Sequence, residues 1–484
     1  AANPPPVDAS HPDEPVRPIY LNGDKVGRTG LEASLEQQLR GSKGVKEVEV
    51  DNLGNPQGIV GQLPPVPGNN VYLTIDAGLQ KAVTASLQKY IQQAGVTSGV
   101  AIVEDVHSGA ILAMVSLPSY DNNLFAQGIS QTDFDKLLHD PNLPLFNRAI
   151  TGNYPPGSTF KMIMASAGLQ TGVITPNSTF YCPGYIRVPY TGDNSRYNQY
   201  YDWNLARNQS LNVVQALGDS SDTFFYNLGG PKQQETDGQY TRFLPPGSNT
   251  PIYFNGLGID RINEYAHYFG LGKPTGIELP NEASGLVPDR QWKLDHFNDD
   301  WSLGDTLISS IGQGYDLVTP LQLANATAAI ANGGTLYQPT LVYQVRSGDG
   351  SSMVQGFQPK VLAQVPVSAA NLAVVRQGMR LAVTGGDGVY GTSRRINYNS
   401  LAVAGKTGTA EFGEPLPGKK YRPSHAWFTS FAPYDNPQVA VTVFIQGGGG
   451  NGQVDSRQLE GSTYAVPVAA DVYKYYFNLS ETIK

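Results

Sequence analysis

Strand-forming runs stand at both ends of this chain's main segment, and they constrain the fold more than anything else in it. Gly99 to Glu104 and Ala110 to Leu117 are β-rich and joined by the polar DVHSG turn, which predicts a hairpin. Leu401 to Glu411, Ala426 to Phe431 and Val439 to Ile445 predict three more strands, the last two turned by PYDNP. Asp76 can cap a helix through LQKAVTASLQKYIQQ to Gly95, just before the first run. Pro467 to Phe477 predicts a helix just after the last. The two ends therefore predict one central antiparallel sheet flanked by helices, an α+β fold, with residues 118–400 as an inserted helical region.

Upstream, LEASLEQQL (31–39) predicts a short amphipathic helix closed by Gly41, and VKEVEVD (45–51) alternates like a strand. Residues 52–70 are rich in Gly, Pro and Asn and read as a boundary, giving a small domain over 1–70 and a large one over 71–484. The Pro-rich opening AANPPPVDASHPDEPVRP reads as poorly ordered. With 54 glycines and 35 prolines, many turns are expected, and residues 183–209 and 231–257 read as long surface loops.

A net charge of −8 without basic runs excludes a nucleic-acid footprint. The single cysteine, Cys182, excludes an internal disulfide and reads as structural. No stretch approaches the roughly 18 apolar residues a membrane span requires.

Three short motifs carry chemistry. In PPGSTFK, Ser158 precedes Lys161 by three residues, so hydroxyl and amine share a helix face. The following FKMIMASAGL is apolar apart from Lys161, and desolvation would depress the amine's pKa and let it act as a neutral base. The same spacing recurs at Ser86 and Lys89 on an ordinary amphipathic helix, so spacing alone proves little. GDSSDTFFY supplies Ser220, Ser221 and Asp222, which also read as a turn or cap for the helix TFFYNL. In AVAGKTGTAEF, Lys406, Thr407, Gly408 and Thr409 lie on a predicted strand whose glycines suit close approach by a ligand or another backbone. A phosphate-binding loop would need glycine at 400, where Ser400 stands, and a following helix.

In the order S-x-x-K, S-x-(N/D), K-T-G the three match the signature of the serine acyl-transferases. The chain resembles class B penicillin-binding proteins of the elongation type from about Gly27 onward. The likeness is carried by GRTGLEASLEQQLRG (27–41), VYLTIDAGLQ (71–80), NRAITGNYPPGSTFK (147–161), SSDTFFYNLG (220–229), FGLGKPTGIELPNE (269–282), GDTLISSIGQG (304–314), GKTGTAE (405–411) and HAWFTSFAP (425–433). Asp222 in place of the commoner Asn is a mark of that subgroup.

The resemblance implies a penicilloyl-serine transferase fold, with 1–70 the remnant of an N-terminal pedestal or dimerisation domain. It implies a D,D-transpeptidase that cross-links peptidoglycan stem peptides ending in D-Ala-D-Ala and is inhibited by β-lactams. Ser158 would be acylated with Lys161 taking its proton, and Ser220 and Lys406 would serve the leaving group. Lys406, Thr407, Gly408 and Thr409 would hold the substrate, and the N–H groups of Ser158 and Thr409 would form the oxyanion hole. Asp222 is expected to turn partly away from Lys161, since an adjacent carboxylate would favour the charged amine. No metal or cofactor is implied. The family's usual N-terminal membrane helix is missing from the sequence, which suggests a shortened chain from the extracytoplasmic face of a bacterial membrane, with a membrane glycosyltransferase as partner. The alternatives are a D,D-carboxypeptidase or β-lactamase, and a β-lactam sensor that does not turn over.

Overall fold

The computed structural model describes residues 20–126, 128–190, 193–230, 242–243, 252–253, 255–414, 422–448 and 459–480. The Pro-rich opening through residue 19 and most of the predicted 231–257 loop lie outside the described residues. The chain divides into two compact units. One holds Ala1–Leu73, Glu278–Pro280 and Val342–Phe357, and the other Thr74–Ile277, Asn281–Leu341 and Gln358–Lys484.

In the smaller unit the helix expected over 31–39 is two short pieces, Gly30–Ser34 and Glu36–Leu39, interrupted at Leu35. Val45–Val50 is the expected strand, but it pairs with Pro56–Leu63, inside what the sequence presents as a linker. The Gly, Asn and Pro content marks a hairpin turn instead: Asp51 Oδ1 accepts from Leu53 N (2.9 Å) and Asn55 N (2.8 Å). Val342–Arg346 pairs with both Asn70–Leu73 and Met353–Gly356, joining segments far apart in sequence.

The larger unit carries the sheet built from both ends. Helix α1 (Ala77–Ala94) starts on Asp76, whose Oδ1 accepts from Leu79 N at 2.7 Å, and stops at Gly95 with φ +69°. The hairpin is β1 (Gly99–Asp105) and β2 (Ile111–Leu117). The insertion contributes α2 (Lys161–Gln170), α3 (Val213–Gly218), α4 (Asp222–Gly229), α5 (Pro320–Asn332) and α6 (Ala369–Thr384). Strands β3 (Ala404–Glu411), β4 (Ser424–Ala432) and β5 (Val439–Ile445) and helix α7 (Val466–Tyr476) close the chain. The sheet order is β3-β4-β5-β1-β2, antiparallel throughout, so β5 against β1 joins the two ends and β3 is an edge.

One face of the sheet buries Ala101, Val103, Phe428, Val441 and Val443 with Val83 and Leu87 of α1 and Val468 and Val472 of α7. The other face meets α5, where Thr327 Oγ1, Thr429 Oγ1 and Thr442 Oγ1 form a hydrogen-bonded chain at 2.6 and 2.7 Å. Glu104 of β1 is fully buried with both carboxylate oxygens unpartnered among the described residues, and burial pushes it up to about 8.

The insertion is not all helix and loop. Within the expected 183–209 loop, Tyr185–Tyr190 and Asp193–Tyr201 form an antiparallel hairpin, flanked by Phe180–Cys182 pairing with Gln209–Leu211. Tyrosines give this run strand propensity, while its Asn, Gln and Arg residues hide it from a hydrophobic count. Cys182 is buried and its thiol is pushed up to about 11, which fits an inert structural role.

Candidate active site

Ser158 lies in a single 3-10 turn, Gly157–Phe160, that runs into α2, so the hydroxyl precedes the α-helix proper. Trp427 Nε1 donates to Pro155 O at 2.9 Å, and Gly157 N to Gly312 O at 2.8 Å, fixing the turn from two sides. Gly157 has φ +54°, and a Cβ there would stand 2.9 Å from Thr409 O; glycine lets the turn lie against β3. Ser158 is half-buried while Gly157, Thr159 and Phe160 are buried, so of these four only the serine opens to solvent.

Lys161 is fully buried, as its apolar neighbours predict. Its Nζ donates to Ser220 O (2.9 Å), to Asp222 Oδ1 (2.5 Å) and, at 3.5 Å, to Ser220 Oγ. Lys406, also fully buried, donates to Ser220 Oγ and to Thr407 O, both at 2.8 Å. Ser220 is thus the node between the two amines. It is held in the left-handed region (φ +54°), which non-glycine residues seldom adopt and which is often found at functional sites. Burial, together with the charge of Lys161, pushes Lys406 well below its ordinary range, with Asp222 and Asp219 opposing. Burial pushes the Asp222 carboxyl up, with Lys161 opposing.

The expectation that Asp222 turns away from Lys161 is wrong. Asp222 is the first residue of α4, and Ser221 is its cap, accepting from Phe224 N at 3.3 Å. Trp203 N holds the other oxygen of Asp222 at 3.0 Å, which leaves Oδ1 aimed at Lys161.

The three positions after Lys406 in K-T-G-T divide. Thr409 is exposed on the outer edge of β3. Thr407 is buried and donates to Thr392 Oγ1 at 2.9 Å. Gly408 faces the Ser158 turn rather than the open cleft: a Cβ there would meet Pro156 O and Thr159 Cγ2 at 3.0 Å.

Sequence reasoning missed the brace behind this site. Buried Arg207 pairs with Asp219 and with Asp202 Oδ1 (3.3 Å). Asp202 Oδ2 accepts from Ser221 Oγ (2.9 Å) and Thr223 N (3.0 Å), and Trp203 Nε1 donates to Asp219 O at 3.0 Å. The signal available was DWNLAR, two opposite charges in an aromatic stretch, which looks like solvated surface until the fold buries it. Among the described residues no cluster of His, Cys, Asp and Glu could hold a metal ion.

A family model described as the penicillin binding protein transpeptidase domain matches residues 99–474. The chain belongs to that family. A second model, the penicillin-binding protein dimerisation domain, matches residues 9–73. The chain is 35% identical over 472 residues to a peptidoglycan D,D-transpeptidase MrdA of Haemophilus influenzae, covering 95% of this chain and 64% of that protein. It is 36% identical over 448 residues to the Escherichia coli K12 protein of the same name, covering 89% of this chain and 63% of the relative. It therefore spans less than two thirds of these relatives. A crystal structure of Pseudomonas aeruginosa PBP2 in complex with WCK 5153 aligns with TM-score 0.71 and 31% identity, covering 95% of this chain and 86% of that one. Helicobacter pylori PBP2, in a complex with MreC, aligns with TM-score 0.72 and 29% identity over 94% of this chain and 72% of that one. The fold is that of the PBP2 transpeptidases, as the sequence resemblance implied.

Proposed function

We propose that this chain is a peptidoglycan D,D-transpeptidase in which Ser158 is acylated by a D-Ala-D-Ala stem peptide and then resolved by an amine of a neighbouring stem. The observation that carries the reading is the pair of buried lysines meeting at Ser220, with Lys161 three residues after the only solvent-facing residue of the Gly157–Phe160 turn.

Lys161, ion-paired with Asp222, must give up a proton before it can take one. Lys406, disfavoured by burial as an ammonium, starts neutral and takes that proton transiently through Ser220 Oγ, which accepts from Lys161 as it donates to Lys406. Neutral Lys161 then removes the Ser158 proton as the hydroxyl attacks the penultimate carbonyl. The N–H groups of Ser158 and Thr409 stabilise the oxyanion. As the tetrahedral intermediate collapses, the C–N bond breaks and protonated Lys406 returns its proton through Ser220 to the departing D-alanine. An acceptor amine reverses the sequence, loses its proton to the same relay and forms the cross-link. Lys406 and the Thr409 hydroxyl hold the donor's carboxylate, with Thr407 acting through Thr392 to support the strand.

The amino-terminal unit acts as a pedestal or dimerisation domain, and the enzyme works on the extracytoplasmic face of a bacterial membrane. β-Lactams acylate Ser158, and the partner is a membrane glycosyltransferase of the elongation machinery. Incubation with a D-Ala-D-Ala donor and a D-amino acid amine acceptor tests the reading. Amide exchange onto the acceptor is expected; hydrolysis alone would identify a carboxypeptidase, and penicillin capture with neither product a sensor.

A further inference from the structure

We propose that Gln313 closes the outer edge of β3 beyond Thr409, so that an acyl donor pairs with this strand through one residue only. The proposal rests on reading Ser158 as the nucleophile and β3 as the donor's docking strand.

β3 pairs with β4 in unbroken register from Ala404 opposite Phe431 to Glu411 opposite Ser424. In such a pair the backbone groups of alternate residues face the partner and the rest face away. Phe412 N donates to Pro423 O at 3.0 Å on the β4 side, so Thr407, Thr409 and Glu411 present their N–H and C=O to the outer edge. Thr407 O already accepts from Lys406 Nζ. Glu411 is taken at both groups by one side chain. With the Gln313 amide oriented to match donors with acceptors, Nε2 donates to Glu411 O at 3.1 Å and Oε1 accepts from Glu411 N at 3.0 Å. The reverse orientation sets like atoms against each other at Glu411 and keeps one 3.4 Å contact to Thr409 O, so the matched pair is favoured.

The amide therefore stands where the backbone of an added strand would stand. Its position is built in. Gly312 and Gly314 both have left-handed φ (+71° and +79°), and Gln313 N donates to Ile308 O at 3.2 Å. Gly312 O accepts from Gly157 N, and a Cβ on Gly312 would stand 2.4 Å from Gly157 O, so the loop bearing the glutamine is seated on the Ser158 turn. Among the described residues this leaves Thr409 as the outward residue of 407–411 with both backbone groups open. A donor running antiparallel to β3, its carboxylate toward Lys406, sends its upstream residues past Glu411 and finds no partner there. Recognition is confined to the D-Ala-D-Ala end, and the rest of the stem leaves the strand.

The test compares kcat/KM and KM for N-acetyl-D-Ala-D-Ala and for a pentapeptide ending in D-Ala-D-Ala, in the parent chain and in Gln313→Met. The parent should accept both within about 3-fold, and the variant should gain about 10-fold on the pentapeptide through KM, the worth of one added pair of backbone hydrogen bonds. Its penicillin acylation rate should stay within about 3-fold of the parent. Gln313→Glu keeps the side-chain length but cannot donate to Glu411 O, and should move the ratio the same way if the methionine variant folds poorly. A parent that already favours the pentapeptide more than about 10-fold, or variants whose ratio does not move, would overturn the proposal while leaving the functional reading intact. A parent that takes no penicillin on Ser158 would sink both.

Discussion

The chain contains the same four-residue pattern twice, and only one copy sits in a chemical environment. Ser86 and Lys89 lie on α1, where Ser86 Oγ donates to Asp471 Oδ2 at 2.8 Å. The Lys89 side chain is 53% exposed, 3.7 Å from Asp471, and is held above its ordinary value chiefly by the Tyr90 hydroxyl. Ser158 and Lys161 have the same spacing, but this lysine is fully buried against a second lysine, a left-handed serine and a carboxyl. Spacing puts a hydroxyl and an amine on one face; burial beside a second amine makes them a candidate for acyl transfer.

The largest effect expected from breaking that contrast is at Lys161. Lys161→Arg keeps the charge but cannot shed a proton near neutral pH, so penicillin acylation should fall about 10³-fold, within the range general-base groups contribute. Lys89→Arg should leave the stopped-flow acylation rate unchanged. Comparable rates in the parent and Lys161→Arg would remove Lys161 from the relay.

Asp222→Asn is expected to act more mildly and through pH. The Asp222 charge raises Lys406 against the effect of burial, so removing it lowers Lys406 further. Acylation should then reach half its maximum at a lower pH than in the parent. A profile that does not move would show that the Asp222 contact to Lys161 is structural only.

Glu104 isolates burial from partnership, because it is as buried as the lysines and its carboxylate has no hydrogen-bond partner among the described residues. Its folded pKa of about 8 lies above the ordinary 4.5, so the folded state binds this proton more tightly than the unfolded state. Stability should therefore fall as pH rises from about 4.5 to about 8, by on the order of 4 kcal/mol. Urea unfolding of Glu104→Gln at the two ends of that window should show most of this fall removed, with acylation little changed. An equal fall in the variant would assign the pH dependence elsewhere.

How much of this was legible follows from what each residue shows locally. Four strands of the main sheet could be read as apolar runs closed by turn residues, β3 from the small residues around its K-T-G, and helix α1 because Asp76 and Gly95 mark its two ends. The Tyr185–Tyr201 hairpin could not, since its polar residues break the alternation. Nor could the pairing of Val342–Arg346 with Asn70–Leu73, which no local pattern announces. Lys161 and Lys406 were legible as parts of one constellation, and both reach Ser220. Arg207 and Asp202 were not, because a buried ion pair and a solvated one look alike in sequence. Asp222 was found but misplaced: its charge alone suggests that it avoids Lys161, whereas Trp203 N, distant in sequence, fixes the carboxylate's other oxygen.

The central claim is that environment, and not spacing, selects the nucleophile. A peptide map by mass spectrometry after incubation with labelled penicillin tests it most directly. The account predicts one adduct, on the peptide containing Ser158, absent from Ser158→Ala and unaffected in Ser86→Ala. An adduct on Ser86 or Ser220, or none on the folded protein, would contradict it.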